Sequence, residues 1–416
     1  MNLGKRVVFF IRAFNDLDHF APIAKLYLKN GTKVRFLITD KSVSPEDFRI
    51  KLLIGYNNFS ILQFSLFDLV LVNKLPLTKK IYLKFILDGG AARSVLWTCI
   101  FVMAFPLLAW LYIYRLAMPN YIVVDWSTPS SRGFFQWGMF KFHSWLMRRC
   151  TFAIPHGVNI YLNDDVTNAY HTLSKSNGSV DYMRFSERNW YSAYVVQYSA
   201  KVDSWQRLGG KKLLALGSPR FFTDWRRALS MSLGVTDLVH PPDSTRKLSI
   251  VFFDHQKNYR IIKKSILKLL NEMAKRDNVS LVLKNSTRLD KSYYSESEVV
   301  ELKKVGIQFS DENSIELIAK SDLVVNFGSS IVLEAIGQEK PFINPIFCHE
   351  NKTYMDQLVP SASAFTIDEF FLKLDAQIDG RSWFDYCEAR EFFDFVVYDG
   401  LDVQILEHKW LSLLEY

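Results

Sequence analysis

The sequence predicts an α/β fold of two doubly wound domains in tandem, and three observations carry that expectation. Short apolar runs alternate with segments of helical periodicity through the first half of the chain. The same alternation restarts after residue 240. Between the two stretches, His240-Pro-Pro-Asp-Ser-Thr245 has the composition of a linker. The 416 residues are 49% hydrophobic and 23% charged, which supplies more than one core and excludes a disordered or multi-span membrane protein. No heptad run or short repeat is present, so fibrous and solenoid classes fall away.

Taken in order, residues 5–11 read as a strand. Residues 15–29 follow as a helix, with Leu17, Phe20, Ile23, Ala24 and Tyr27 at helical spacing and Asn30-Gly31 as its stop. Strands are then expected at 33–38, 59–64, 67–72, 121–125, 151–155 and 193–198. After the linker come a strand at 248–254, a helix at 257–276 and strands at 279–284 and 306–309. A helix at 313–320, a strand at 321–327, a helix at 330–338 and a strand at 341–344 complete the second alternation, and 382–415 reads as helical. Strand–helix–strand order implies Rossmann-like parallel sheets covered on both faces. The expected domains are 1–225 and 248–380, joined by a linker at 226–247 and followed by C-terminal helices at 381–416, with a ligand cleft between the two domains.

The net charge of +8 points to an anionic partner: nucleic acid, a membrane surface or an anionic substrate. The basic residues form no dense stripe interleaved with aromatics, which disfavours nucleic acid. Cys99, Cys150, Cys348 and Cys387 lie far apart without a C-x-x-C pair. They argue against a disulfide framework or cysteine zinc site and for a reducing, cytoplasmic compartment. Residues 1–12 carry no signal-peptide pattern. Ser94 to Tyr114 contains no charge and is bracketed by Arg93 and Arg115. It is read as a spanning helix, a helix docked in the membrane interface near Lys141, Arg148 and Arg149, or a core helix interrupted by Pro106.

The sharpest chemical signal is Ser321-Asp-Leu-Val-Val-Asn-Phe-Gly-Ser-Ser-Ile-Val-Leu-Glu-Ala-Ile-Gly337. A buried strand ends near Phe327, Gly328 turns the chain, and Ser329 and Ser330 open a helix. Free N–H groups at that helix start, beside two hydroxyls, would suit a phosphate. The alternative is that Ser329 serves only as an N-cap.

This segment, with Lys340-Pro341 after it, resembles the nucleotide-binding segment of two-domain (GT-B) glycosyltransferases of bacterial surface-carbohydrate synthesis and of CDP-polyol phosphotransferases. Leu216-Gly-Ser-Pro-Arg-Phe-Phe-Thr-Asp-Trp225 and Ile154-Pro-His-Gly157 resemble two further stretches of those enzymes. Where they usually carry Lys/Arg-x-His-Pro, this chain has Leu283-Lys-Asn-Ser-Thr-Arg288; Asn285 and Ser286 replace the His and Pro, while Lys284 and Arg288 keep the charge. The retaining β-Kdo transferases are most similar. That resemblance implies a CMP-Kdo donor, a glycan or lipid-linked acceptor, a carboxylate nucleophile, and neither cofactor nor metal. It also implies donor contacts from Ser218, Arg220, Lys284, Asn285, Arg288, Gly328, Ser329 and Ser330, with Glu334 orienting the nucleotide.

His255 and Gln256, after the first strand of the second domain, join the donor group because that loop commonly meets the nucleotide. The catalytic candidates are Asp125 at a strand end, His156 after another strand, and Asp224 at the domain junction. Asp224 is favoured because Arg220 stands four residues away and would keep it ionised. Each has a plainer role open to it: a helix cap, a turn hydrogen bond, a solvated helix start. Asp164-Asp165 reads as dipole complementation of a helix start. His240, His255 and His349 share no metal-ligand spacing, and no Asp-x-Asp occurs. The expected activity is transfer of a sugar to an envelope polysaccharide at the inner face of the plasma membrane. A CDP-polyol phosphotransferase, a nucleotide-sugar epimerase and a membrane-docked scaffold with a degenerate donor site are the rivals.

Overall fold

The computed structural model describes residues 4–38, 43–63, 120–126, 149–155, 157–162, 188–207, 209–235, 246–254, 261–285 and 294–415. The expected strand at 67–72, the uncharged segment 94–114, Lys141, Arg148, His156, Asp164-Asp165, the linker residues 240–245, His255, Gln256 and Arg288 lie outside them. Among the described residues no helix is long and apolar enough to cross a membrane.

The chain forms two compact units. The first comprises residues up to Gly157, Asp181–Leu229 and Leu401–Tyr416; the second comprises Val158–Val180 and Ser230–Gly400. The first unit holds β1 (Arg6–Ile11), α1 (Phe14–Lys29), β2 (Lys33–Ile38), α2 (Phe48–Ile54), β3 (Phe59–Gln63), β4 (Tyr121–Asp125), β5 (Cys150–Ile154), β6 (Ala193–Val196), α3 (Ser199–Arg207), β7 (Leu213–Ala215) and the part of α4 (Thr223–Leu233) up to Leu229. Its strands are all parallel, in the order β3-β2-β1-β4-β5-β6-β7.

The second unit holds β8 (Leu248–Phe253), α5 (Lys263–Ala274), β9 (Val279–Lys284), α6 (Glu296–Lys304), β10 (Gln308–Ser310), α7 (Ser314–Lys320), β11 (Leu323–Asn326), α8 (Val332–Gly337), β12 (Phe342–Pro345), α9 (Tyr354–Leu358), β13 (Ser363–Ala364), α10 (Ile367–Ile378) and α11 (Tyr386–Phe393). These strands too are parallel, in the order β10-β9-β8-β11-β12-β13. Each sheet is thus doubly wound as expected, and the order reverses once, at β1/β4 and at β8/β11. Ligands of such sheets bind outside the carboxyl ends of the strands at that reversal.

The elements follow from burial. In β1, Val7 to Ile11 are all buried, as a central parallel strand covered on both faces requires. Phe9 packs on Phe20 of α1 and Phe36 of β2, each pair 5.6 Å between ring centroids. In α5, Ile266, Leu269, Leu270 and Met273 recur at helical spacing and fill the second core against Phe252 and Leu283. A last helix, α12 (Val403–Ser412), is part of the first unit. Its Trp410 indole N–H donates to the Leu216 carbonyl at 2.6 Å, and Tyr27 donates to the Trp410 carbonyl at 3.1 Å.

Several boundaries differ from expectation for physical reasons. The helix expected at 257–276 starts only at Lys263, because Ile261 bridges His349 and the Ile262 N–H donates to the Cys348 carbonyl. The segment 382–415 is not one helix: α11 widens into a π-turn at Asp394–Tyr398, and Asp399 and Gly400 then take positive φ (56° and 66°). Asp402 restarts the helix by accepting from the Gln404 N–H. Strand β7, three residues long, has no pattern of its own and exists by pairing with β6.

A buried ion cluster ties α1 to the loop after β7. The Arg49 side chain is 2% exposed and bonds Asp18 at 2.6 Å and Asp47 at 2.7 Å, while Arg220 reaches the other Asp18 oxygen at 3.1 Å. Burial opposes ionisation of Asp18, but the guanidinium groups of Arg220 and Arg49 outweigh it and hold the carboxyl at about 2, below its ordinary 3.8. A lowered folded pKa stabilises above the unfolded value, and the contribution is lost as pH falls from 3.8 to about 2. Asp18→Asn should therefore cost about 2 kcal/mol at neutral pH. Chemical denaturation from pH 7 to pH 2 should show the gap to wild type closing below about pH 4; a gap independent of pH would contradict the ion-pair account.

Candidate functional site

The carboxyl edge of the second sheet collects polar groups beside an apolar core. Strand β9 ends on Lys284, 5% exposed, followed by Asn285. Among the described residues the Lys284 ammonium makes no ion pair or hydrogen bond. Burial pushes its pKa below the ordinary value, and the charges of Asp311 and Glu312 oppose that only in part. Strand β11 ends on Asn326, fully buried. Its Oδ1 accepts from the Ser329 N–H at 3.1 Å, and its Nδ2 has no hydrogen-bond partner among the described residues. A buried donor left without a partner is costly.

Gly328 turns the chain at φ +70°, a region L side chains avoid. The turn departs from the expected helix start. Val332 and Leu333 donate to the carbonyls of Ser329 and Ser330, and the Ile331 N–H meets the Ser329 hydroxyl at 3.4 Å. Helix α8 is only six residues long, so the N–H groups expected to greet a phosphate are largely consumed by the turn itself. Ser330 differs: its N–H and hydroxyl have no partner among the described residues. Glu334 is buried one turn further on, in α8.

Residues 349–353, beyond β12, lie against the same edge. His349, 4% exposed, stacks on Phe327 with centroids 6.2 Å apart, and its Nδ1 accepts from the Asn351 N–H at 3.1 Å. That bond places the ring proton on Nε2, which is buried without a partner among the described residues. Burial pushes the imidazole pKa down, keeping it neutral. The sequence reading placed Asn326 only as a strand end and His349 only as a residue without metal-ligand spacing, and it did not single out Tyr161. A polar residue at the end of a buried strand could have flagged Asn326, whereas His349 and Tyr161 have no local signal.

On the first unit, Asp125 ends β4, 5% exposed, at the β1/β4 reversal. Arg12, the first residue after β1, stands beside it with Nη1 3.7 Å from Oδ1. Ser218, after β7, is 1% exposed and its hydroxyl has no partner among the described residues. The other expectations near the junction change. Arg220 is engaged by Asp18 in the buried cluster. Asp224 is largely exposed and bonded to Lys29, and that bond, with the charges of Lys29, Lys25 and Arg227, lowers its pKa. Lys29 ends α1, the crossover that begins at the carboxyl end of β1 and returns to the amino end of β2, about 16 Å along the helix from Asp18. The geometric reason for choosing Asp224 thereby disappears, because its partner stands at the amino end of the sheet. The supposed Arg220 support for its ionisation comes instead from lysines.

No protein-family model matches the sequence, and no curated protein matches it. Solved structures do match in three dimensions. A UDP-GlcNAc 2-epimerase from Neisseria meningitidis bound to UDP-GlcNAc is similar at a TM-score of 0.58 and 11% identity, over 99% of this chain and 100% of that one. The S. aureus MnaA–UDP complex gives 0.56 at 10% identity, over 99% and 96%. UGT71G1 of Medicago truncatula, complexed with UDP-glucose, gives 0.52 at 14% identity, over 99% and 98%. With two parallel Rossmann-like sheets in tandem, these likenesses decide the architecture. The fold is GT-B. Among the described residues no three His, Cys, Asp or Glu side chains cluster as a metal site would.

Lys284 offers a direct test of the second sheet's edge. Lys284→Met removes an ammonium that burial disfavours and that Asp311 and Glu312 offset only in part, so the ligand-free unfolding midpoint should rise by about 2 °C. The same variant should lose the stabilisation that nucleotide monophosphates give wild type. A fall in the ligand-free midpoint would mean that the ammonium is compensated and serves the fold.

Proposed function

We propose that the chain is a nucleotide-sugar-dependent glycosyltransferase whose second unit holds the nucleotide phosphate at the carboxyl edge of its sheet. The observation that carries this reading is Lys284, offset only in part by Asp311 and Glu312, on the same sheet edge as the Asn326 Nδ2 and the N–H and hydroxyl of Ser330, which have no partner among the described residues. A cation and hydrogen-bond donors without protein partners match an anion. Asn285, Gly328, Ser329 and Glu334 complete the described part of the donor site in this reading; His255, Gln256 and Arg288 join it on sequence grounds, and Ser218 and Arg220 on resemblance alone.

The best-matched donor is CMP-Kdo, which rests on the resemblance of the paired-serine segment to β-Kdo transferases. Asp125 is the proposed nucleophile in place of Asp224, because it ends a strand at the reversal of its sheet with Arg12 beside it. Its carboxylate attacks the anomeric carbon as the bond to the phosphate oxygen breaks, and CMP leaves with the bonding electrons. An acceptor hydroxyl then displaces the aspartate and gives its proton to a base, for which His156 is the proposed residue. The positive charge and the uncharged segment 94–114 support work at an anionic membrane surface. A second reading, a UDP-sugar epimerase, draws on the neighbours that carry UDP-GlcNAc and UDP.

Thermal unfolding of the full chain with CMP, CDP and UDP separates these readings, since a ligand of the folded state raises the midpoint. A rise with CMP supports the CMP-sugar transferase, a rise with UDP alone overturns the CMP donor and moves the assignment to a UDP-sugar enzyme, and no rise with any overturns a nucleotide site. For the chemistry, Asp125→Asn should keep the CMP response and lower transfer by about 1,000-fold or more. Wild type given donor alone should carry a glycosyl adduct on Asp125. An adduct on another carboxylate would displace it.

A further inference from the structure

One peptide plane at the second sheet's edge is held from both ends. Its carbonyl, that of Gly328, accepts a hydrogen bond from the Tyr161 hydroxyl, and its N–H, that of Ser329, donates to Asn326 Oδ1 at 3.1 Å. Tyr161 is 6% exposed and reaches this turn from 167 residues earlier in the chain. Its ring lies 3.5 Å from where a Gly328 Cβ would stand, so the tyrosine packs on the turn as well as bonding it.

The tyrosine is itself anchored. Tyr161 pairs antiparallel with Thr353, the Leu162 N–H donates to the Lys352 carbonyl, and the Tyr354 N–H donates to the Ile160 carbonyl, both at 2.9 Å. Thr353 is fixed in turn: its hydroxyl donates to Asp356 at 2.7 Å, and the same carboxylate oxygen accepts from Asn344 at 2.8 Å. Residues 158–162 therefore form a strap that binds the loop after β12 through its backbone and the turn after β11 through one side chain.

A peptide that follows a glycine flips readily, because glycine populates both signs of φ with little cost. Flipping the Gly328–Ser329 peptide would exchange its N–H and carbonyl directions and reorient Ser329 and Ser330. We propose that Tyr161 is a positioning residue that locks this peptide against flipping, so that the Gly328 carbonyl oxygen stays turned onto the tyrosine and the N–H and hydroxyl of Ser330 are left to meet an anionic ligand. This rests on the phosphate reading of the same edge and adds to it that the site selects for the charge of its ligand through backbone orientation.

The test is calorimetric titration of the full chain with CMP against cytidine and UMP against uridine. Tyr161→Phe keeps the ring and removes only the hydroxyl. It should weaken the monophosphates about 10-fold, the value of one lost hydrogen bond, and leave the nucleosides unchanged. A merely structural role would weaken both members of each pair, or neither. Asn326→Ala removes both the acceptor that holds the other end of this peptide and the Nδ2 donor assigned to the phosphate, so its loss on the monophosphates should exceed that of Tyr161→Phe, again with the nucleosides unchanged. The double variant should lose less than the sum of the two, since both side chains hold one plane. Unchanged monophosphate affinity in Tyr161→Phe, or additive losses in the double variant, would overturn the proposal. Failure of wild type to bind any monophosphate would overturn the phosphate reading itself, and this inference with it.

Discussion

The rest of the structure depends on strand direction. Every paired strand in both sheets is parallel, so each must be followed by a crossover that returns the chain to the amino end. A parallel strand flanked on both sides is buried along its length and mostly apolar, as in β4 and β11. Polar side chains are then left the strand ends, and the one place per sheet where neighbouring crossovers diverge is the reversal of order. Asp125 with Arg12, and Asn326 with the Gly328 turn, stand at those two places.

Direction also sorts residues that sequence proximity cannot. Arg220 and Asp224 are four positions apart, yet Arg220 binds Asp18 near the start of α1 while Asp224 binds Lys29 at its end. Arg220 is consequently part of the cluster that neutralises the buried Arg49–Asp18 pair, and Asp224 belongs to an exposed ion pair of little energetic weight.

Much of the fold was legible because parallel sheets write themselves plainly in sequence. Leu248–Phe253 is an apolar run after a Pro-rich linker, and α1 shows its buried stripe and its Asn30-Gly31 stop. Strand β7 was not legible, since three residues gain strand character only from β6. The Gly328-Ser329-Ser330 turn was found by its residue types, but its hydrogen bonding was misjudged: Ser329 and Ser330 carbonyls accept the N–H groups that an isolated helix would leave free. Tyr161 and His349 were invisible because their meaning lies in partners far along the chain, at Gly328 and Phe327.

The central claim is that the carboxyl edge of the second sheet receives a nucleotide phosphate. Amide hydrogen exchange of the full chain with and without saturating CMP, resolved to short peptides, tests it most directly. The account predicts protection concentrated in residues 284–285 and 326–331, with the amino-end segment 29–33 unchanged. Protection confined to other segments, with 326–331 exchanging as in the free protein, would contradict it.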